Sequence, residues 1–190
     1  GGIEMVEPFK AGVGRANITP AANYLAAGGF QENMVKTINE EYWAQAMVLS
    51  AGGELVAIVS CDLTAIPNEL VEKMRALIEE WTGIPGGSVL ICATHVHGAP
   101  LTFECPAGTP DEAYLDQLVK KVATSVLLAV QDLKPAKIGA GVGYEDSVAF
   151  NRRLRFPDGS VKMNFSLPRG RAYPEATPLG PVDPQVSLLR

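Results

Sequence analysis

Three cysteines, Cys61, Cys92 and Cys105, are too few and too odd in number to staple a secreted scaffold. Cys61 and Cys92 sit in apolar runs, where a thiol serves as a small hydrophobe, so Cys105 is expected to be the reachable one. No apolar stretch approaches the ~18–20 residues that cross a bilayer. No signal peptide is visible in the acidic start Gly1-Gly2-Ile3-Glu4. The compartment is left open between the cytoplasm and a secreted or periplasmic location after signal removal. Basic charge is also short, 16 Lys and Arg against 21 Asp and Glu. The net charge of −5 disfavours nucleic acid as a partner. Asn151-Arg152-Arg153 and Arg169-Gly170-Arg171 carry only two arginines each and read as solvated surface.

Nucleophile and phosphate motifs are missing too. There is no Gly-x-Ser-x-Gly elbow and no Gly-Lys-Ser/Thr phosphate loop. Gly12-Val13-Gly14 and Gly139-Ala140-Gly141-Val142-Gly143 are not followed by a helix, so neither is a dinucleotide loop.

What is present is a chain of 190 residues, 47% hydrophobic, enough for one domain with a sizeable core. Apolar runs at 43–49 and 55–61 flank Ala51-Gly52-Gly53 and predict a β-hairpin. The second run is apolar nearly throughout, which predicts a strand covered on both faces. Leu70, Val71, Met74, Leu77, Ile78 and Trp81 fall on one face of a helix over 68–81, capped by Asn68 and stopped at Gly83. A buried strand over 88–93 follows, and strand, helix, strand with short joints predicts a parallel crossover. Thr109, Pro110 and Glu112 spell a capping box for a second helix with an apolar stripe from Leu115 to Leu133. A strand over 136–142 comes next. The fold class is therefore α/β, a mixed sheet with a loop-rich C-terminal third. There Pro157-Asp158-Gly159-Ser160 marks a turn. The apolar run at 186–189 is expected to expose surface and to favour either a homo-oligomer or loose order.

Both parallel strands end in chemically capable residues: Asp62 after the first, His95 and His97 after the second. Ligands of open α/β sheets gather at such carboxyl ends. In an extended backbone, residues two apart point to one side, so the two imidazoles are expected together. A His-x-His pair there either chelates a metal or supplies one ligand and one proton donor. Local hydrogen bonding is the alternative, and for Asp62 the alternative is a turn cap.

Five segments, in order, resemble the N-terminal part of the neutral/alkaline, non-lysosomal ceramidase family. They are Ala11-Gly12-Val13-Gly14-Arg15-Ala16-Asn17-Ile18-Thr19-Pro20, Ala57-Ile58-Val59-Ser60-Cys61-Asp62-Leu63, Ala93-Thr94-His95-Val96-His97-Gly98-Ala99-Pro100, Asn151-Arg152-Arg153 and Gly180-Pro181-Val182-Asp183-Pro184. The resemblance implies a zinc-dependent hydrolase of N-acyl, lipid amide bonds. In it His95 is a zinc ligand, and His97 steadies the charge developing on the substrate. The family's histidine run reads Thr-His-Thr-His-Ser-Gly-Pro; Val96 and Gly98-Ala99 depart from it, which bears on the substrate more than on the metal. Asp62 would orient a ligand from behind. The resemblance further implies that residues 1–190 are one domain, the N-terminal part of a larger catalytic domain and incomplete for catalysis alone. Alternatives are a metal-dependent hydrolase of another substrate and a non-catalytic binding or structural homologue. Loops 20–40 and 98–110, with Phe30, Met34, Leu101 and Phe103, are expected to shape the entrance.

Overall fold

A computed structural model of the chain describes residues 8–168 and 172–190. Arg169-Gly170-Arg171 and the Gly1-Gly2 start lie outside them. The chain forms two compact units, Gly1–Ala136 and Lys137–Arg190.

The first unit runs β1 (Lys10–Asn17), β2 (Tyr24–Leu25), β3 (Met34–Val35), β4 (Trp43–Ala51), β5 (Glu54–Cys61), α1 (Asn68–Thr82), β6 (Val89–Ala93), α2 (Glu112–Gln131) and β7 (Lys134–Pro135). Its five-stranded sheet has the order β6-β5-β4-β1-β7. β4 and β5 form the expected hairpin around Gly52 and Gly53, at φ 58° and 84°. β5 and β6 are parallel, with α1 as the crossover. The architecture is mixed α/β, as the sequence implies.

Inward positions alternate along each strand: Ala44, Ala46 and Val48 on β4, Ala57, Val59 and Cys61 on β5. They pack with Leu70, Met74 and Ile78 of α1 and Val122, Val126 and Ala129 of α2 in one core. Both helices lie on the same face, so β5 is not covered on both sides within this unit, contrary to its composition. Val13, Val56 and Leu90, on the opposite face, are 64%, 42% and 55% exposed.

The helix starts are displaced from their sequence reading. Pro67, not Asn68, holds the cap position of α1, with no side-chain cap. At α2 the cap is Asp111, whose carboxylate accepts from the Ala113 and Tyr114 amides. Thr109 and Pro110 stay in the loop. In Thr-Pro-Asp-Glu every residue is a plausible starter, and the bonding amides chose the third.

The second unit contains β8 (Ala140–Tyr144), β9 (Arg153–Arg155), β10 (Val161–Met163), β11 (Thr177–Pro178) and β12 (Gln185–Leu189). The strand expected over 136–142 thus begins later, at Ala140. β9 pairs with β10 across the Pro157-Asp158-Gly159-Ser160 turn, and with β11 on its other side. β12 pairs with β8, so the apolar run at 186–189 has a neighbour, yet Val186 and Leu188 remain 53% and 63% exposed.

Cysteine exposure also departs from the sequence reading. Cys61 is buried, Cys105 half-buried, and Cys92 exposed because it faces away from the helices. Burial, then the nearby Cys92 and Asp62, pushes the Cys61 thiol up to about 12. A thiol-reactive chromogenic disulfide at pH 8 is therefore expected to modify Cys92 and Cys105 in the native chain, and Cys61 only after denaturation. Native labelling of Cys61, read by peptide mass mapping, would contradict this core.

Candidate functional site

Cys61 and Ala93 are register partners at the ends of the parallel pair. Asp62 and Thr94-His95 therefore leave the sheet along one edge, as the crossover requires. The Thr94 amide donates to the Cys61 carbonyl at 3.0 Å, holding the two exits together. Asp62 Oδ2 accepts from the Trp43 amide at 2.9 Å, and Oδ1 lies 3.5 Å from the Thr94 hydroxyl. These bonds go to Trp43 and Thr94 rather than to an imidazole. Asp62 ties the start of β4 to the end of β6.

The loops beyond the strands are cross-linked by three further bonds. The Thr64 hydroxyl donates to the Val96 carbonyl and the Thr102 hydroxyl to the Ala65 carbonyl, each at 2.6 Å. His95 Nδ1 lies 2.7 Å from the Thr64 carbonyl oxygen. A carbonyl only accepts, so Nδ1 carries a proton, and the lone pair of the neutral ring is left at Nε2. An imidazole oriented through one nitrogen by a backbone carbonyl is what a metal-binding histidine needs.

The histidines come together, but not through an extended backbone. His95 has φ 61°, in the left-handed region that costs a non-glycine residue on the order of 1 kcal/mol. The Thr64–Val96 and His95–Thr64 bonds hold it there. The two rings sit 5.2 Å apart between centroids at 74°, edge to face. Both residues are exposed to solutes. Strain at a residue with a free ring nitrogen, at a strand-end edge, is the pattern of a functional position.

A third segment completes the site; it belongs to the 20–40 loop expected to shape the entrance, but the sequence gives no sign that it holds the histidine loop. Residues 24–28 lie alongside the histidine loop. The Ala27 amide donates to Ala99 O at 2.7 Å, Gly98 N–H to Ala27 O at 3.0 Å, and Leu101 N–H to Leu25 O at 3.0 Å. The Tyr24 hydroxyl donates to Gly98 O at 3.0 Å and lies 3.4 Å from the Tyr42 hydroxyl. Burial first, then the Tyr42 contact, raises its pKa well above the ordinary tyrosine range, so it remains a donor. Pairing between irregular loops has no periodicity to read; only Gly28-Gly29 marks the place.

Of the expected entrance residues, Leu101 is buried, Phe103 half-buried and Phe30 87% exposed. Met34 lines a crevice of about 350 Å³ beside the loop, with Tyr24, Pro100, Asp111 and Tyr114. In the second unit, Asn151-Arg152-Arg153 and Gly180 do meet. Leu179 N–H donates to Arg153 O at 2.9 Å, and a Cβ on Gly180 would lie 3.1 Å from Asn151 Nδ2.

Among the described residues, no group of three His, Cys, Asp or Glu side chains could hold a metal ion. His95 Nε2 fits as one donor of a metal site; a full ligand set is not assembled there. Among the described residues, no helix is long and apolar enough to cross a membrane.

The fold is shared with solved structures. Neutral ceramidase from Pseudomonas aeruginosa matches with a TM-score of 0.72 and 24% identity, over 96% of this chain and 29% of that one. A ceramidase complexed with C2 matches with a TM-score of 0.74 and 24% identity, over 96% and 28%. The chain thus spans less than a third of the length of the proteins it resembles. No family model matches it, and no curated protein sequence does.

Proposed function

We propose that this chain is the histidine-bearing portion of a ceramidase-like, zinc-dependent hydrolase of N-acyl amide bonds, with a lipid or other small amide as substrate. One observation carries the reading: His95, exposed at the carboxyl edge of the parallel pair, has its Nδ1 held 2.7 Å from Thr64 O, which in the neutral ring leaves the lone pair at Nε2. The shared fold with ceramidases supports it.

In this reading His95 is a metal ligand. Zinc, when bound, supplies a Lewis acid that polarises the amide carbonyl. His97, 5.2 Å away ring to ring, would donate a hydrogen bond to the oxygen on which charge develops and so steady that charge. Asp62 positions the centre through Thr94, the residue before His95. The rigid loop ladder keeps both rings in place at no cost during reaction.

A catalytic zinc takes three protein ligands as a rule. Among the described residues no such set is assembled beyond the histidine pair, so the isolated 190-residue chain is expected to release no measurable product from a fluorogenic N-acyl amide in the presence of zinc. Turnover abolished both by a chelator and by His95→Ala would overturn that expectation. A second reading is a non-catalytic binding homologue, since no three-residue His, Cys, Asp or Glu cluster is assembled among the described residues. Zinc titration of the purified chain separates the two, because a homologue that has lost the site binds none.

A further inference from the structure

We propose that residues 24–28 form the positioning element of His97, and that Gly28 lacks a side chain so that the imidazole can stand against its backbone and face His95. The proposal rests on the preceding reading only for the chemical use of His97; its geometry needs no metal.

Three observations converge on it. First, the segment and the histidine loop are locked as a short antiparallel ladder, with a bridge between Ala26 and Pro100. Ala26, Ala27 and Ala99 in it are buried. The ladder therefore has no room to slide. Second, the chain leaves it at Gly28 with φ 101°. A Cβ built there would come to 2.5 Å from His97 Cγ and 2.8 Å from its Cβ and Nδ1. Those atoms form the root of the side chain: turning about χ1 would carry Cγ and Nδ1 away, but Cβ is fixed by the backbone, so His97 must leave its rotamer and the two loops must also part slightly. Third, Tyr24 pins the residue that follows His97 by donating to Gly98 O. His97 is thus held at the root of its side chain by Gly28 and through the fixed Gly98 that follows it, with its ring edge to face with His95. Gly29, next in sequence, has nothing closer than 3.8 Å to an added Cβ.

With only two histidines in the chain, isotope-labelled histidine gives a spectrum of two ring systems. In the parent, proton–proton contacts are expected from the His97 ring to Gly28 Hα and to the His95 ring. In Gly28→Ala both sets should vanish and the His97 resonances move, while the His95 resonances hold, and Gly29→Ala should match the parent. A folded Gly28→Ala that keeps the His97 contacts overturns the proposal. Should Gly28→Ala fail to fold, the double variant Gly28→Ala/His97→Gly decides, because glycine removes the Cβ contact along with the ring. Removing the whole clashing side chain should restore the fold, with a Tm at least about 3 °C above the single variant. Equal instability of the two overturns the idea, since backbone strain at φ 101° would then be the whole effect. No metal or substrate enters these measurements, so their failure leaves the zinc reading standing, and the reverse.

Discussion

Gly14→Val is expected to cost the first unit about 3 kcal/mol or more, seen as a fall of roughly 6–12 °C in Tm. β1 lies directly under α2. A Cβ at Gly14 would run into the Ser125 carbonyl oxygen, and would stand 2.6 Å from Ala129 N and 2.8 Å from Leu128 Cβ. Gly12 meets Ala129 O and, at 2.8 Å, Leu133 N in the same way. These are mostly backbone atoms, which have no rotamer to move to. The helix offers small residues in return, Ser125 and Ala129, both fully buried. Small on small brings the helix axis close to the sheet, and a branched side chain would lever the two apart. Gly141→Val is the control: it sits in the other Gly-x-Gly run, in β8, with nothing within 4 Å of an added Cβ. Its expected change is within about 0.5 kcal/mol. Thermal unfolding of both variants followed by circular dichroism makes the comparison. A Gly14→Val Tm within 2 °C of the parent, about the precision of the scan, would mean that the close approach is not required.

That contrast shows where the sequence was legible. Two Gly-x-Gly runs look alike in sequence, and neither has the helix that a dinucleotide loop needs, but of the two only Gly12-Val13-Gly14 lies under a helix. Regular elements with their own period were readable. The apolar spacing from Leu70 to Trp81 and from Leu115 to Leu133 yields both helices, and Gly52-Gly53 yields the hairpin. Features decided by a distant partner were not. β5 is as apolar as a two-sided strand, yet which faces are covered depends on where α1 and α2 return. Cys92 has an apolar neighbourhood in sequence and still faces away from the core. At the candidate site, the strand-end edge shared by Asp62 and His95 followed from the crossover. The means of bringing the imidazoles together did not: it is a left-handed turn at His95, locked by Thr64, rather than an extended pair. The segment at 24–28 pairs with residues some seventy positions away, and no local pattern announces such a contact.

His95→Ala is expected to weaken zinc binding by at least about 100-fold, the largest effect of any single change at the site. Metal affinity depends on a donor atom and on how well it is already aimed. His95 has both: the lone pair at Nε2 and an Nδ1 proton held by Thr64 O at 2.7 Å. Thr64 is itself fixed, since its hydroxyl donates to Val96 O at 2.6 Å, inside the histidine loop. The ring is thus oriented by a closed circuit of two bonds running between the same two loops, and its turn of backbone is held at φ 61° against its own strain. His97 is aimed by contact with Gly28 rather than by a hydrogen-bonded nitrogen. As a charge-steadying neighbour it should matter less to the ion, so His97→Ala is expected to cost about 10-fold or less. Asp62→Asn keeps the shape and alters the bond to the Trp43 amide little, and should fall between parent and His97→Ala. Competition with a chromophoric zinc indicator, on variants shown to be folded, ranks all three. If binding survives His95→Ala and disappears with His97→Ala, the ligand is the other imidazole. The roles assigned here to the two rings would then have to be exchanged, and the bond from His95 to Thr64 would be a structural one alone.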